Sequence, residues 1–252
     1  MYTVDDYANR DIAGYPDCTN NSVLEALKQS LVCSQVSPHR VLMVSEAGAA
    51  ARISCYLNTN AFYCDCREAI SVAAGVKIAN SALTVIAEIE TAIVGEDCLS
   101  RVTRENSDIT VLVYSYKVMY AAPQTSVLAR AVGMGAGFAA RGLATMPEQL
   151  ADLISRAIAY PGLSVIEILG NYPSLDNTSE DFLSDPASCT SPGNVDPDNR
   201  QMDFKANCRE SAPLGIIHFK DDCDLSVDNT LETLVGQDAC QSVLLDIVRQ
   251  YT

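Results

Sequence analysis

A chain of 252 residues with 17 lysines and arginines against 32 aspartates and glutamates has a formal charge of -15. That charge repels phosphate backbones and anionic bilayers, so neither nucleic acid nor a membrane surface is expected as a partner. The composition, 48% hydrophobic and 19% charged, is that of a globular protein rather than a disordered or fibrous one. No apolar run reaches the roughly 20 residues that span a bilayer. The polar opening Met1-Tyr2-Thr3-Val4-Asp5-Asp6 does not read as a leader peptide, and a cytoplasmic protein is expected.

Along the chain, residues 22–34 place Val23, Leu24, Leu27 and Leu31 on one stripe with Glu25 and Lys28 outside it, which predicts an amphipathic helix after Asn20-Asn21. The short apolar run 41–44 predicts a strand buried on both faces, and the same kind of run returns at 83–86, 109–113 and 163–169. Between them, residues 68–81, 92–104, 127–134 and 147–160 read as helices. The last opens on Pro147-Glu148, with proline in the first turn and an acid at the positive end. Strands alternating with helices specify right-handed crossovers, hence a doubly wound, mostly parallel α/β sheet with helices on both faces.

After Gly170 the texture changes. Residues 171–213 hold Pro173, Pro186, Pro192, Pro197 and Pro213 among many Asp, Asn and Ser, as in an extended tail. Residues 214–219 then predict a returning strand and 231–251 a terminal helix. The expected organisation is an α/β domain over 1–172 and an extended tail over 173–252.

The common chemistries find little purchase. His39 follows Pro38 and His218 alternates within a strand, settings of packed or solvated histidines. There is no nucleophile elbow, P-loop or H-E-x-x-H. Gly133, Gly135 and Gly137 follow a helical stretch rather than a strand, so close helix packing explains them better than dinucleotide binding. Of ten cysteines only Cys64 and Cys66 are close in sequence, and no C-x-x-C occurs. Buried thiols are the plain reading, with Cys33, Cys98 and Cys240 at helical spacing among apolar residues. The even count and the sequons at Asn20 and Asn177 would also suit disulfides in an exported chain. Glu88 and Glu90, alternate residues at the end of a predicted strand, point the same way where open α/β sheets bind ligands, and could hold a cation.

Several segments in this order resemble the β subunit of the 2-oxoacid:ferredoxin oxidoreductases, thiamine-diphosphate enzymes that split pyruvate-like acids and pass electrons to ferredoxin. They are 69–80 with 83–86, Arg104-Glu105-Asn106 with 108–111, Gly137-Phe138-Ala139-Ala140-Arg141-Gly142, and 162–169. Ala212-Pro213-Leu214-Gly215-Ile216 is similar to the family's tail. The resemblance implies the diphosphate-binding half of a thiamine enzyme, paired with an α subunit.

The family's functional positions are mostly replaced. The cluster motif C-P-G-C-G reads Tyr15-Pro16-Asp17-Cys18-Thr19, and the next cluster cysteine falls on Ala49. The H-x-x-H-G-R segment corresponds to Tyr63-Cys64-Asp65-Cys66-Arg67-Glu68. The magnesium-binding G-D-G-D loop reads Ala87-Glu88-Ile89-Glu90, without the glycines that let backbone approach a phosphate. Of the Y-G-M-T-G-G-Q run, Gln124 survives. The resemblance therefore implies a cofactor-free β-subunit-like protein, a structural or regulatory pseudoenzyme assembled with an α-subunit-like protein or with itself. An alternative is an active oxidoreductase subunit, with Glu88, Glu90 and Gln124 at the diphosphate and magnesium, Cys18, Cys64 and Cys66 at an iron-sulfur cluster, and ferredoxin as partner. A third reading is a thiol redox or metal-binding protein.

Overall fold

The computed structural model describes residues 1–9, 19–46, 50–65, 67–90, 96–116, 127–170 and 214–221. Its centre is a seven-stranded sheet made of β1 (Val41–Glu46), β2 (Asn60–Cys64), β3 (Thr84–Glu90), β4 (Thr110–Tyr116), β5 (Phe138–Leu143), β6 (Ser164–Gly170) and β7 (Gly215–Phe219). The strand order is β2-β1-β3-β4-β6-β5-β7. All neighbours run parallel except β7, which lies antiparallel on β5 with a register shift between Ala139 and Ala140. The helices are α1 (Thr19–Ser34), α2 (Ala69–Ala79), α3 (Glu96–Arg104), α4 (Val127–Met134) and α5 (Pro147–Ala159). The expected mostly parallel α/β architecture is therefore the one observed.

Alternation along each strand divides the core into two layers. Val41, Met43, Ile86, Leu112 and Ile166 face one side, with Leu27 and Leu31 of α1 and Leu150 and Ile154 of α5. Leu42, Val44, Val85, Val111 and Val165 face the other, against Ile70 of α2, Leu99 of α3 and Leu128 of α4. Because both faces are covered, the central strands need apolar side chains at nearly every position, which is why they stand out as continuous runs. The predicted stripe of α1 is the face it buries: Val23, Leu24, Leu27 and Leu31 are all in the core. A turn of 3-10 helix at Val4–Tyr7 closes this layer, with the buried Tyr7 hydroxyl donating to the carbonyls of Leu31 and Val36.

Two strands go beyond the sequence expectation. β2 is an edge strand whose first four residues are exposed, so it carries neither a buried run nor an alternating one. β5 is buried throughout but reads Phe-Ala-Ala-Arg-Gly-Leu, in which only Phe138 is a strong strand former and alanine and glycine are depleted in strands. The glycines before β5 serve different ends. Gly135 has φ 109 and ends α4, and a Cβ on Gly137 would overlap the ring of Tyr160, whereas Gly133 faces open space. Close packing thus accounts for Gly137 and not for Gly133. Cys33 is exposed rather than buried, while Cys98 is half-buried against the second layer. Cys33, Cys55, Cys64 and Cys98 are free thiols, and Cys240 lies outside the described residues. So do the predicted tail 171–213 and terminal helix 231–251. No helix among the described residues is long and apolar enough to cross a membrane.

Candidate functional site

From β1 the chain crosses to β2 on one side of the sheet and next to β3 on the other, so the connections leaving β1 and β3 diverge. In an open parallel sheet that divergence opens a crevice beyond the carboxyl ends of the two strands. The residues at those ends are Ser45 and Glu46 on β1 and Glu88 and Glu90 on β3.

Glu88 stands directly across from Ser45 in the β1–β3 register, on the face shared with Leu112 and Tyr114. The Ser45 hydroxyl donates to Glu88 Oε2 at 2.7 Å, and the Tyr114 hydroxyl, diagonally placed on β4, donates to Oε1 at 2.9 Å. Only 1% of Glu88 is exposed. Burial disfavours its charged form and raises its carboxyl to about 7, against the two hydroxyl bonds, which favour the ion and pull the other way. Ser45 Oγ also lies 3.1 Å from Ser54 Oγ, in a 3-10 turn at Ala50–Tyr56, and Ser54 Oγ lies 2.8 Å from the Tyr63 hydroxyl on β2. Tyr63 in turn touches the Cys55 thiol. A line of hydroxyls therefore runs from a buried carboxyl to the exposed sheet edge.

Glu46 points to the opposite face, toward the start of α2. Its Oε1 accepts from the Arg67 amide at 2.7 Å, and the Ala69 amide bonds to it as well. The Ala69 amide is an orphan donor of the α2 N-terminus, where a carboxylate is favoured, and the Arg67 amide lies just ahead of the N-cap Glu68. Arg67 takes φ 76, a left-handed conformation rare for a residue with a side chain, which turns its N–H toward Glu46. Glu46 is 5% exposed, and its Oε2 is buried with no hydrogen-bond partner. Burial raises this carboxyl to about 7; the Arg67 and Ala69 amides oppose the rise, and the charge of Glu90 adds to it.

The sequence-derived candidates are thus distributed unevenly. Glu88 and Glu90 lie at the switch point, but Glu88 is turned into the sheet with an oxygen on each of two hydroxyls. Cys64 ends β2 and its thiol donates to the Ser45 carbonyl at 3.6 Å. Cys18, Cys66 and Gln124 lie outside the described residues. Among the described residues no three of His, Cys, Asp and Glu converge on a point that could hold a metal. Glu88 as placed is buried, with each of its oxygens accepting from a hydroxyl inside the sheet. His39 is exposed in a 3-10 turn, and His218 is buried within β7. Glu46, Ser45 and Tyr114 were not singled out by sequence reasoning. The one available signal was an acid closing a strand that opens on four apolar residues, as Glu46 does in Val-Leu-Met-Val-Ser-Glu.

A second buried charged group lies further across the sheet. Arg141 of β5 stands opposite Glu167 of β6, its guanidinium 2.7 Å from Oε2, while the Ser115 hydroxyl donates to Oε1 at 3.0 Å. It ties β4, β6 and β5 together by polar contacts inside the core.

No family model matches the chain. Among curated proteins it is 27% identical over 188 residues to subunit beta of 2-oxoacid:ferredoxin oxidoreductase 2 of Aeropyrum pernix, covering 64% of this chain and 61% of that protein. It is 26% identical over 190 residues to the 2-oxoacid:ferredoxin oxidoreductase subunit beta of Saccharolobus solfataricus, covering 64% and 62%. It is 26% identical over 185 residues to the 2-oxoglutarate synthase subunit KorB of Methanothermobacter marburgensis, covering 62% and 64%. The chain thus spans about three fifths of the length of these relatives. In three dimensions it superposes on a chain of the 2-oxoglutarate:ferredoxin oxidoreductase of Magnetococcus marinus with TM-score 0.81, covering 97% of this chain and 96% of that one. At 17% identity that likeness concerns the fold.

Proposed function

The chain is a relative of the β subunits of 2-oxoacid:ferredoxin oxidoreductases, and from that premise we propose that it serves as a cofactor-free scaffold or regulatory subunit paired with an α-subunit-like protein. The observation that carries this reading is the use made of Glu88. It stands where the family resemblance places a metal-binding acid, yet both its oxygens are taken by Ser45 and Tyr114 inside the sheet. A carboxyl so buried would have to turn out of the core, giving up contacts that hold it there, before it could grip a diphosphate-bound ion in the crevice. The scaffold around it is intact, with two full core layers. In this reading residues 1–172 form the scaffold, and the region 173–252 adds β7 to its sheet and reaches the partner.

The test is anaerobic purification followed by calorimetric titration with thiamine diphosphate and magnesium, with iron quantified on the same sample. No saturable heat, no stoichiometric iron and co-purification with an α-subunit-like chain are expected. Saturable binding or about one cluster per chain overturns the reading and directs attention to 2-oxoacid oxidation.

A further inference from the structure

Ser45 has one hydroxyl proton and two acceptors for it. Its Oγ lies 2.7 Å from Glu88 Oε2 and 3.1 Å from Ser54 Oγ, so it donates to one of them at a time. The same choice recurs further out. Ser54 Oγ stands between Ser45 and the Tyr63 hydroxyl, and that hydroxyl stands between Ser54 and the Cys55 thiol, at 2.8 Å from each. Either atom can donate in both of these outer contacts. Three hydroxyls in series, with one proton each, therefore point inward together or outward together.

The state of Glu88 selects between the two arrangements. When it is ionised, Tyr63 donates to Ser54, Ser54 to Ser45 and Ser45 to Oε2. When Oε2 carries a proton it donates to Ser45, Ser45 to Ser54, Ser54 to Tyr63 and Tyr63 to the Cys55 sulfur. Tyr114 of β4 holds Oε1 and takes no part in the reversal. Among the described residues, Glu90 shares the strand face of Glu88, while Glu46 is turned to the opposite face. The Tyr63 phenol is pushed up to about 12, first by desolvation, then by its bond with the Cys55 thiol, with the charge of Glu88 adding to the rise. It thus keeps its proton at neutral pH, as a relay member must.

We propose that this line of hydroxyls is a proton path between the buried Glu88 and solvent at the β2 edge. In release, Glu88 gives its proton to Ser45 as Ser45 gives its own to Ser54, Ser54 to Tyr63 and Tyr63 to a water outside. Each O–H bond broken is matched by one formed on the next oxygen. One proton leaves, and the line is left pointing inward, as the ionised acid requires. Uptake is the reverse. Glu88 is 1% exposed and Tyr63 53%, so the path joins the core to the surface through short hydrogen bonds of the kind that strengthen one another in series. A change of pH outside is then answered at the centre of the sheet without the sheet opening, and the path asks for no metal and no thiamine.

The test is a rapid jump of the metal-free full chain from pH 5 to pH 8, followed by the infrared band of the protonated Glu88 carboxyl, which Glu88→Gln identifies by removing it. Tyr63→Phe and Ser54→Ala should each slow the loss of that band at least about 10-fold while leaving its equilibrium midpoint nearly unchanged. Ser54→Thr, which keeps a hydroxyl, should restore the rate. Tyr114→Phe lies off the path and should do the converse, raising the midpoint without slowing the jump. Tyr63 sits at an exposed edge, so Tyr63→Phe decides alone should Ser54→Ala fail to fold. A wild-type rate in Tyr63→Phe overturns the inference and brings the proton in from the crevice instead. A wild-type chain whose Glu88 band does not change between the two pH values overturns it as well.

Discussion

Arg141 and Glu167 face each other across β5 and β6 as an ion pair of 2.7 Å with almost no exposure on either side chain. Such a pair contributes little net stability over apolar residues of the same shape, yet breaking it is costly because one charge stays behind in the core. Glu167→Ala should therefore lower the unfolding free energy by about 3–5 kcal/mol in urea titrations. Replacing Arg141 and Glu167 together by Met and Leu should restore most of the loss. A small effect of Glu167→Ala would mean that water reaches the pair.

The carboxyl of Glu88 gives the protein an acid-side stability. Its value of about 7 in the folded chain lies above the 4.5 of an ordinary glutamate, so folding takes up a proton between those values. The stabilisation is complete below about pH 4.5 and is lost as pH rises through about 7. Thermal melts of the metal-free protein should show a lower melting temperature at pH 8 than at pH 5. Glu88→Gln should flatten that slope, gaining up to about 3 kcal/mol over wild type at pH 8 and little at pH 5. Some slope should persist, since Glu46 is raised to about 7 in the same way.

Gly137 leaves the room that the Tyr160 ring fills beside Phe138 and Phe219. In Gly137→Ala the new methyl must displace a packed ring whose hydroxyl donates to the Lys220 carbonyl. Overpacking of this kind costs about 1–3 kcal/mol, and the contact of α5 with β7 should loosen first. Guanidinium unfolding of the variant measures the cost. Gly133→Ala, which meets nothing within 4 Å, should be neutral or slightly stabilising.

Lys77, in the last turn of α2, is buried while its ammonium reaches Asp108 at 2.8 Å and the carbonyls of Ser81 and Leu83. These contacts pin the turn into β3 to the start of β4. Lys77→Met keeps the apolar stem but strands the two carbonyls, and a loss of about 1–3 kcal/mol in chemical unfolding is expected.

The sheet was legible wherever a strand is buried on both faces by apolar side chains, as in β1, β3, β4 and β6, because burial there leaves its mark in the local sequence. β5 is equally buried but escaped, since its Arg141 is made tolerable by Glu167, a residue far away in the chain whose relevance only the register reveals. β2 escaped for the opposite reason: at the edge it has little to bury, with Phe62 and Tyr63 each 53% exposed. At the candidate site the two acids of β3 were visible as a pair, but the inward turn of Glu88 depends on hydroxyls from β1 and β4. The role of Glu46 depends on an amide that a left-handed Arg67 directs toward it. Neither relation leaves a trace in spacing.

The antiparallel strand β7 is joined to the rest of the sheet along one side, by β5, and it arrives from a distant part of the chain. Its pairing closes a long loop, an entropic expense that the parallel strands joined by single helices avoid. Native-state hydrogen exchange should therefore show the amides of Ile216 and His218 opening at lower free energy than those of Val111 or Val165 in the middle of the sheet. During folding the same strand should lock in after β5 and α5 are formed, so that the Tyr160 to Lys220 bond marks one of the last steps by which the molecule closes.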